Sequence, residues 1–385
     1  MLYGKPAWAE IDFDLVGQNC RQVKAWIGDS TEFMATVKAN AYGLGAVPVA
    51  KVALQNGATR LAVARVDEGI QLREAGIDVP ILVLGYVPAE EMQTAVRWRI
   101  TPPVMHWHTA KALSEASVSQ GVTTPVHVKV DTGLARFGLL PDEVVGFIRQ
   151  LIKLPGLYLE GIYTHFGVPD EAEATHAQFR IFGDVVKQIE AIDIRIPICH
   201  VCDSGATLNY PEMHLDMVRP GGLVYGYYPS QATRRAVALH FALSLRCRVA
   251  RVRTLPAGVN VGYGKTYVTT QPTTVALVSF GYADFLSQRL SNKGFVLIRG
   301  KRAPIVGRMS YSQTTVDVSG ISGVEQDDEV VVLGAQGEEE ITLDELGAVV
   351  GCTKASLLPT ITARVPRVYI KGGKIVEVVT LTGKA

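Results

Sequence analysis

From residue 33 onward, short apolar runs alternate with longer amphipathic ones. The runs at 33–37, 61–64, 80–84, 101–105, 126–130, 158–163, 197–201 and 216–219 have the length and composition of buried strands. Between them, 46–56, 66–75, 88–97, 108–119, 141–152 and 170–192 carry apolar positions at helical spacing. The last interval is short and weakly helical. Eight strands alternating with helices over about 200 residues predict an α/β domain, a (β/α)8 TIM-like barrel. Upstream, 7–13 alternates as a strand does and 14–26 is spaced as a helix.

After residue 235 the period changes. Segments 241–254, 274–281, 295–299, 303–308, 314–318, 329–333 and 364–379 are short and strand-like, separated by Gly, Pro and Asp/Asn turns, with one helix at 343–350. That pattern predicts an all-β C-terminal domain. The expected division is 1–235 for the barrel and 236–385 for the β domain, crossing at Ser230 to Arg235. Two domains suit 385 residues, and 48% hydrophobic with 19% charged content supplies a core for both. A net charge of +1 gives no electrostatic case for nucleic acid or an anionic membrane as partner. No apolar run approaches the ~18 residues of a membrane span. Acids at Glu10, Asp12 and Asp14 argue against a signal peptide. The five scattered cysteines, Cys20, Cys199, Cys202, Cys247 and Cys352, read as reduced thiols, so a cytoplasmic protein is expected. Cys199 and Cys202 form a lone CxxC with no second pair, and no metal site is expected.

Barrel chemistry sits where strands end. Lys38 ends the first run, Lys129 the fifth, His165 the sixth and Arg219 the eighth; Arg136 lies in the loop after the fifth and Ser204 after the seventh. A lysine at the mouth of a buried strand is costly to desolvate, so its pKa falls and its amine becomes a nucleophile toward a carbonyl. Taken singly, these residues have plain readings: Lys38 snorkelling to water, Lys129 and Arg136 as surface charges, His165 as a satisfied core histidine. Six polar residues brought to one end of a barrel describe a site. A phosphate is expected in the loops after strands seven and eight. Ser204 offers a hydroxyl there and Gly221 and Gly222 offer backbone N–H groups, while Tyr42 can reach over from the first strand.

The stretch Val37-Lys38-Ala39-Asn40-Ala41-Tyr42-Gly43 resembles the pyridoxal-phosphate lysine motif of the alanine racemases, although Leu44-Gly45 follows where His-Gly is usual. The similarity runs from about Ala7 to Tyr369. The resemblance implies a pyridoxal 5'-phosphate enzyme that interconverts L- and D-amino acids, alanine first, for D-amino-acid supply to the cell wall. It implies that Lys38 holds the cofactor aldehyde as a Schiff base. Tyr42, Ser204, Gly221 and Gly222 match the phosphate ligands, with Gly222 replacing a usual isoleucine. Arg219 matches the arginine that bonds the pyridine nitrogen, and His200 the residue that bonds this arginine. An arginine keeps its proton, so the cofactor becomes a weaker electron sink. His165 falls among the cofactor-binding positions. Arg136 matches the arginine that binds the substrate carboxylate, and Lys129 the lysine that many members carry as a carbamate. Tyr263, in Val-Gly-Tyr-Gly-Lys-Thr-Tyr, matches the second catalytic base, which in the family reaches the active site of the other subunit. A homodimer with shared sites is implied, with residues 7–13 pairing with the β domain. Gly264-Lys265-Thr266 is not a P-loop, because Val259 stands where its first glycine is required.

Several positions depart from the family pattern. Asp203 replaces a usual asparagine, Phe285 and Gln288 a glycine and an arginine near the entry corridor, and Ala355 a pocket tyrosine; Tyr282 and Arg308 are kept. Tyr311, a substrate-binding candidate, stands where methionine is usual. An exchange of bulk between Tyr311 and Ala355 is expected, and with it broadened specificity toward serine or larger residues. Two rival readings stay open. One is a pyridoxal-phosphate decarboxylase of the same architecture, which would favour an acid over Arg219 and would not need Tyr263. The other is a non-catalytic cofactor carrier, which would need only the barrel.

Overall fold

A computed structural model describes residues 5–285 and 287–384. It divides into two compact units. One holds residues 15–41 and 45–241; the other holds the chain up to Asp14, Tyr42–Leu44, and everything from Ala242.

Strand β1 (Ala7–Asp12) belongs to the second unit. The first unit is built on β2 (Glu32–Thr36), β3 (Arg60–Val63), β4 (Ile81–Val83), β5 (Pro103–Val104), β6 (Thr124–Lys129), β7 (Leu157–Tyr163), β8 (Ile198–His200) and β9 (Met217–Val218). All eight apolar runs are strands. They form two parallel arcs, β4-β3-β2-β9 and β5-β6-β7-β8. A parallel bridge between Leu82 and Thr101 joins β4 to the start of β5. On the other side the Asp216 and Arg219 amides donate to the Cys199 and Cys202 carbonyls, so the ring closes. Phe33, Leu61, Val63, Val83, Val128, Ile162 and Val218 are fully buried, as expected of parallel strands covered on both faces. Helices Ala46–Gln55, Val66–Glu74, Met92–Arg97, Trp107–Ser119, Pro141–Leu151 and Ala172–Glu190 fill the intervals. The weak interval holds the short helix Ser204–Asn209 and a 3-10 turn at Pro211–Met213.

The unit ends after Phe241 rather than after Arg235 because the intervening residues are tied to the barrel. Asn19 donates to the His240 carbonyl at 2.8 Å and accepts from its amide at 2.9 Å. The His240 carbonyl lies so close to Gly226 that a Cβ there would sit 1.8 Å from it.

The second unit is one large, mostly antiparallel sheet. Its spine is β10 (Leu243–Leu255), which pairs antiparallel with β1. The sheet continues through β11 (Thr273–Val278), β12 (Phe295–Ile298), β13 (Lys301–Pro304), β14 (Thr314–Asp317), β15 (Glu329–Gln336) and β16 (Glu339–Ile341). The segment expected as one strand at 364–379 is a hairpin, β17 (Arg367–Lys371) and β18 (Lys374–Thr380), turned at Gly372-Gly373 with φ of 57° and 70°. It ends in β19 (Gly383–Lys384). β1 lies between β10 and β17, parallel to the latter. Residues 42–44 belong here because Arg367 donates twice to the Gly43 carbonyl, both at 3.0 Å, and the Tyr369 hydroxyl donates to Leu44. A Cβ on Gly43 would meet the Leu358 carbonyl at 2.6 Å.

Candidate active site

Lys38 follows β2 by two residues and opens a turn of unusual backbone. Ala39, Asn40, Ala41 and Tyr42 have φ between 52° and 54°, a left-handed turn of non-glycine residues. The two alanines and the tyrosine each cost roughly 1–2 kcal/mol there, and strain of this kind collects at functional sites. The turn is held from outside. The Ala39 amide donates to Glu68 at 2.7 Å, the Ala41 amide to Val37, and the Gly45 amide to Asn40. The Asn40 side chain accepts from Ala46 and so caps the following helix. Burial lowers the pKa of Lys38, and the Arg136 and Arg219 charges push the same way; Glu68 and Asp203 oppose them.

Lys129 ends β6, buried to 4% exposure. Its ammonium lies 5.3 Å from the ring centres of both Phe137 and Tyr163. Burial first, then Arg136, Arg219 and Lys38, bring its pKa down to about 7. Arg136 sits in the loop after β6, whose turn is fixed by Asp131 accepting from the amides of Gly133, Ala135 and Arg136. His165 follows β7, with its ring 4.0 Å from the Asp203 carboxylate; burial lowers its pKa. Asp203 also caps the helix that begins at Ser204, accepting from Ala206.

Arg219 is buried after β9. Its guanidinium donates to His200 Nδ1 at 2.7 Å and to the carbonyls of Thr164 and Val201. Three of its five N–H groups are thus used internally. Ser204 Oγ accepts from the Gly221 amide at 2.8 Å, which brings the loops after β8 and β9 together. Gly222 begins the short helix to Tyr225. A Cβ there would lie 2.8 Å from the Tyr227 ring, so that ring fills the space a side chain at 222 would enter.

The barrel mouth therefore gathers Lys38, Lys129, Arg136, His165, Ser204, Arg219, Gly221 and Gly222. Its cations outnumber the nearby carboxylates Glu68, Asp131 and Asp203. Such a basin is suited to an anionic ligand. Pyridoxal phosphate fits it: an aldehyde for Lys38, a phosphate for Ser204 and the glycine amides at a helix start, and a ring for the free donors of Arg219. Tyr42 continues the Lys38 turn into the β unit.

Tyr263 and Tyr311 lie in the β unit, each 69% exposed. Gly262 and Gly264 flank Tyr263 with φ of 73° and 76°. The Tyr311 ring rests on Tyr282, with centres 4.6 Å apart. Ala355 is exposed on the short helix Lys354–Leu357. Within the unit, Tyr311 thus takes its ring contact from Tyr282.

The comparisons match this geometry. The family model for the alanine racemase N-terminal domain matches residues 11–229, and that for the C-terminal domain matches residues 242–369. The chain belongs to the alanine racemase family. It is thereby a pyridoxal-phosphate-dependent amino-acid racemase. It is 43% identical over 378 residues to an alanine racemase of Desulfosudis oleivorans, covering 95% of this chain and 97% of that one. Among solved structures, an alanine racemase of Clostridium difficile superposes with TM-score 0.95 at 34% identity, covering 98% and 99% of the two chains. One from Bacillus anthracis with bound L-Ala-P superposes with TM-score 0.94 at 35% identity, covering 99% of both. Among the described residues, no helix is long and apolar enough to cross a membrane and no cluster of metal-ligating side chains is present.

Three parts of the racemase site were not read from the sequence. Glu68, which holds the Lys38 turn, is an ordinary acid in the first turn of a helix. Tyr227 became necessary only because residue 222 is glycine. The third part is a line of side chains behind Arg219, hinted at only by His127 and His200 on the two strands that flank β7.

Proposed function

We propose that this chain interconverts L- and D-alanine, with some activity on serine and larger side chains, using one base on each face of the substrate. Lys38 serves one face and Tyr263 of a second copy serves the other. Bound pyridoxal phosphate supplies the electron sink that acidifies the substrate α-hydrogen. Lys38 is suited to its role because desolvation and two guanidinium groups favour the free amine. Arg136 is placed to take the substrate carboxylate as a charged fork. Ser204, Tyr42 and the amides of Gly221 and Gly222 would hold the phosphate, and His165 would stand among the side chains that hold the cofactor.

The observation that carries the reading is Arg219. It is buried and can only donate, so it would bond the ring nitrogen of the bound cofactor without protonating it. A weak sink suits removal and return of a proton and disfavours decarboxylation. Lys129, as a neutral amine, can take up carbon dioxide; a carbamate there would place an anion beside Arg136. Alanine is the first substrate, and Tyr311 in place of methionine with alanine at 355 are the changes that would admit serine or larger side chains. Exposure of Tyr263 and Tyr311 in the single chain supports a homodimer whose partner covers them. Lys38→Ala should lose both racemisation and the absorbance band that borohydride abolishes. A variant that keeps a reducible band, or a wild type that racemises no amino acid among alanine, serine and lysine, refutes the reading.

A further inference from the structure

Behind Arg219 a hydrogen-bonded line crosses the barrel interior. Arg219 Nη1 meets His200 Nδ1 at 2.7 Å, His200 Nε2 meets His127 Nδ1 at 2.8 Å, and His127 Nε2 meets Glu160 Oε2 at 2.9 Å. Glu160 Oε1 then accepts from Arg60 at 3.0 Å, and Arg60 donates on to Glu32 at 2.7 Å. The line is built into the strands. The β6–β7 register shifts between Val126 and His127. A Cβ on Gly161 would lie 2.3 Å from the His127 ring, so only glycine leaves that ring its place. The Tyr163 ring stacks on His200 at 4.8 Å and 7°.

The ends of the line fix the protons in the middle. A guanidinium donates and cannot accept; an ionised carboxylate accepts and cannot donate. His200 must therefore accept at Nδ1 and donate from Nε2. His127 must accept at Nδ1 and donate from Nε2 to Glu160. A protonated His127 is excluded as well, because His200 would then accept at Nε2 and turn an N–H against Arg219. Both imidazoles are neutral, and burial lowers both pKa values accordingly. His127 and Arg60 hold the Glu160 carboxyl below its usual range against the opposing effect of burial.

We propose that Glu160 is a positioning residue that acts on Arg219 through His127 and His200. It sets the Nε2–H form of both rings, presents a bare Nδ1 to Arg219, and so orients the guanidinium that faces the cofactor ring nitrogen. This rests on the role given to Arg219 above.

Glu160→Gln tests it with an almost isosteric change. Arg60 can only donate, so it takes the single amide oxygen. The amide NH2 then faces His127 Nε2, which must become an acceptor. His127 switches to its Nδ1–H form, His200 follows, and its Nδ1–H opposes Arg219. In the double variant Arg60→Met/Glu160→Gln the amide is free to rotate, and its oxygen returns to His127. Nitrogen-15 spectra of histidine-labelled apoenzyme read the tautomers directly. The expected result is Nε2–H at both rings in the wild type, Nδ1–H in Glu160→Gln, and Nε2–H again in the double variant. In the holoenzyme the cofactor absorbance band should shift and kcat/KM fall about tenfold in Glu160→Gln, with both recovering in the double variant. Unchanged tautomers in Glu160→Gln overturn the proposal. So does a tautomer switch that leaves the cofactor band and kcat/KM unmoved. A wild type with no reducible cofactor band would overturn the racemase reading while leaving the tautomer result standing.

Discussion

Lys129 shows how strongly a single side chain can carry the electrostatics of the site. Its amine is buried among Arg136, Arg219 and Lys38, and its pKa falls from 10.5 to about 7. The sign follows from linkage: the folded state holds this proton more weakly than the unfolded state does. Above pH 10.5 the group is neutral in both states and has no effect. As pH falls toward 7, folding must expel a proton, and stability is lost; below 7 the penalty is constant, at roughly 4–5 kcal/mol at most. Lys129→Met should therefore raise the urea midpoint of the apoenzyme at pH 7 in carbon-dioxide-free buffer, by an amount that shrinks toward pH 10. A difference that does not depend on pH would refute this assignment of the shift. Added bicarbonate should stabilise the wild type and leave Lys129→Met unchanged. At this same scale Gly222 and Tyr227 are a matched pair. Gly222→Ile should cost about 1–3 kcal/mol by overpacking, and Tyr227→Ala should relieve most of that loss. Thermal unfolding of the two single variants and the double variant decides it; strict additivity would mean the side chains do not meet.

Elements were legible to the degree that burial alone shapes them. The eight barrel strands announce themselves because each is apolar on both faces, and the helices between them because each buries one stripe. Sequence also brought Lys38, Lys129, Arg136, His165, Ser204 and Arg219 to one end of the barrel, since strand ends fix that geometry. The hairpin at 367–380 was hidden because Lys371 and Lys374 continue the strand pattern through a two-glycine turn. The left-handed run from Ala39 to Tyr42 was hidden more deeply. Two alanines and a tyrosine carry no preference for positive φ, so the conformation is imposed from outside by Glu68 and by the anchoring of Gly43 and Leu44. Asn40 is the one member suited to that region. Asn40→Ala loses both this preference and the bond to the Ala46 amide, and should cost about 1–2 kcal/mol. Cofactor affinity should fall with it, because Lys38 starts the same turn. Equilibrium unfolding and cofactor titration measure the two losses. A stability loss with unchanged cofactor affinity would separate the turn from the site.

At the scale of the whole molecule the open question is which chain completes which site. Tyr263 and Tyr311 expose more than two thirds of their surface in one chain, although buried aromatic rings are what usually hold an interface together. Two glycines at positive φ present Tyr263 on a tight turn, a conformation open to glycine without strain. If a second copy receives Tyr263, each site takes Lys38 from one chain and Tyr263 from the other. Symmetry then makes a sharp prediction. Lys38→Ala and Tyr263→Phe homodimers each lack one base at both sites. Mixed after subunit exchange, half of the dimers are hybrids. In each hybrid one site joins the intact Lys38 to the intact Tyr263, and the other site carries both substitutions. Activity should therefore recover to about a quarter of the wild type at equal mixing, and should fall on dilution below the dimer dissociation constant. Solvent-deuterium exchange distinguishes the bases, because Tyr263→Phe alone should slow proton exchange mainly on one face. No recovery in a mixture whose exchange is proven by mass-tagged subunits would mean that Lys38 and Tyr263 serve the same chain, or that Tyr263 is not the second base.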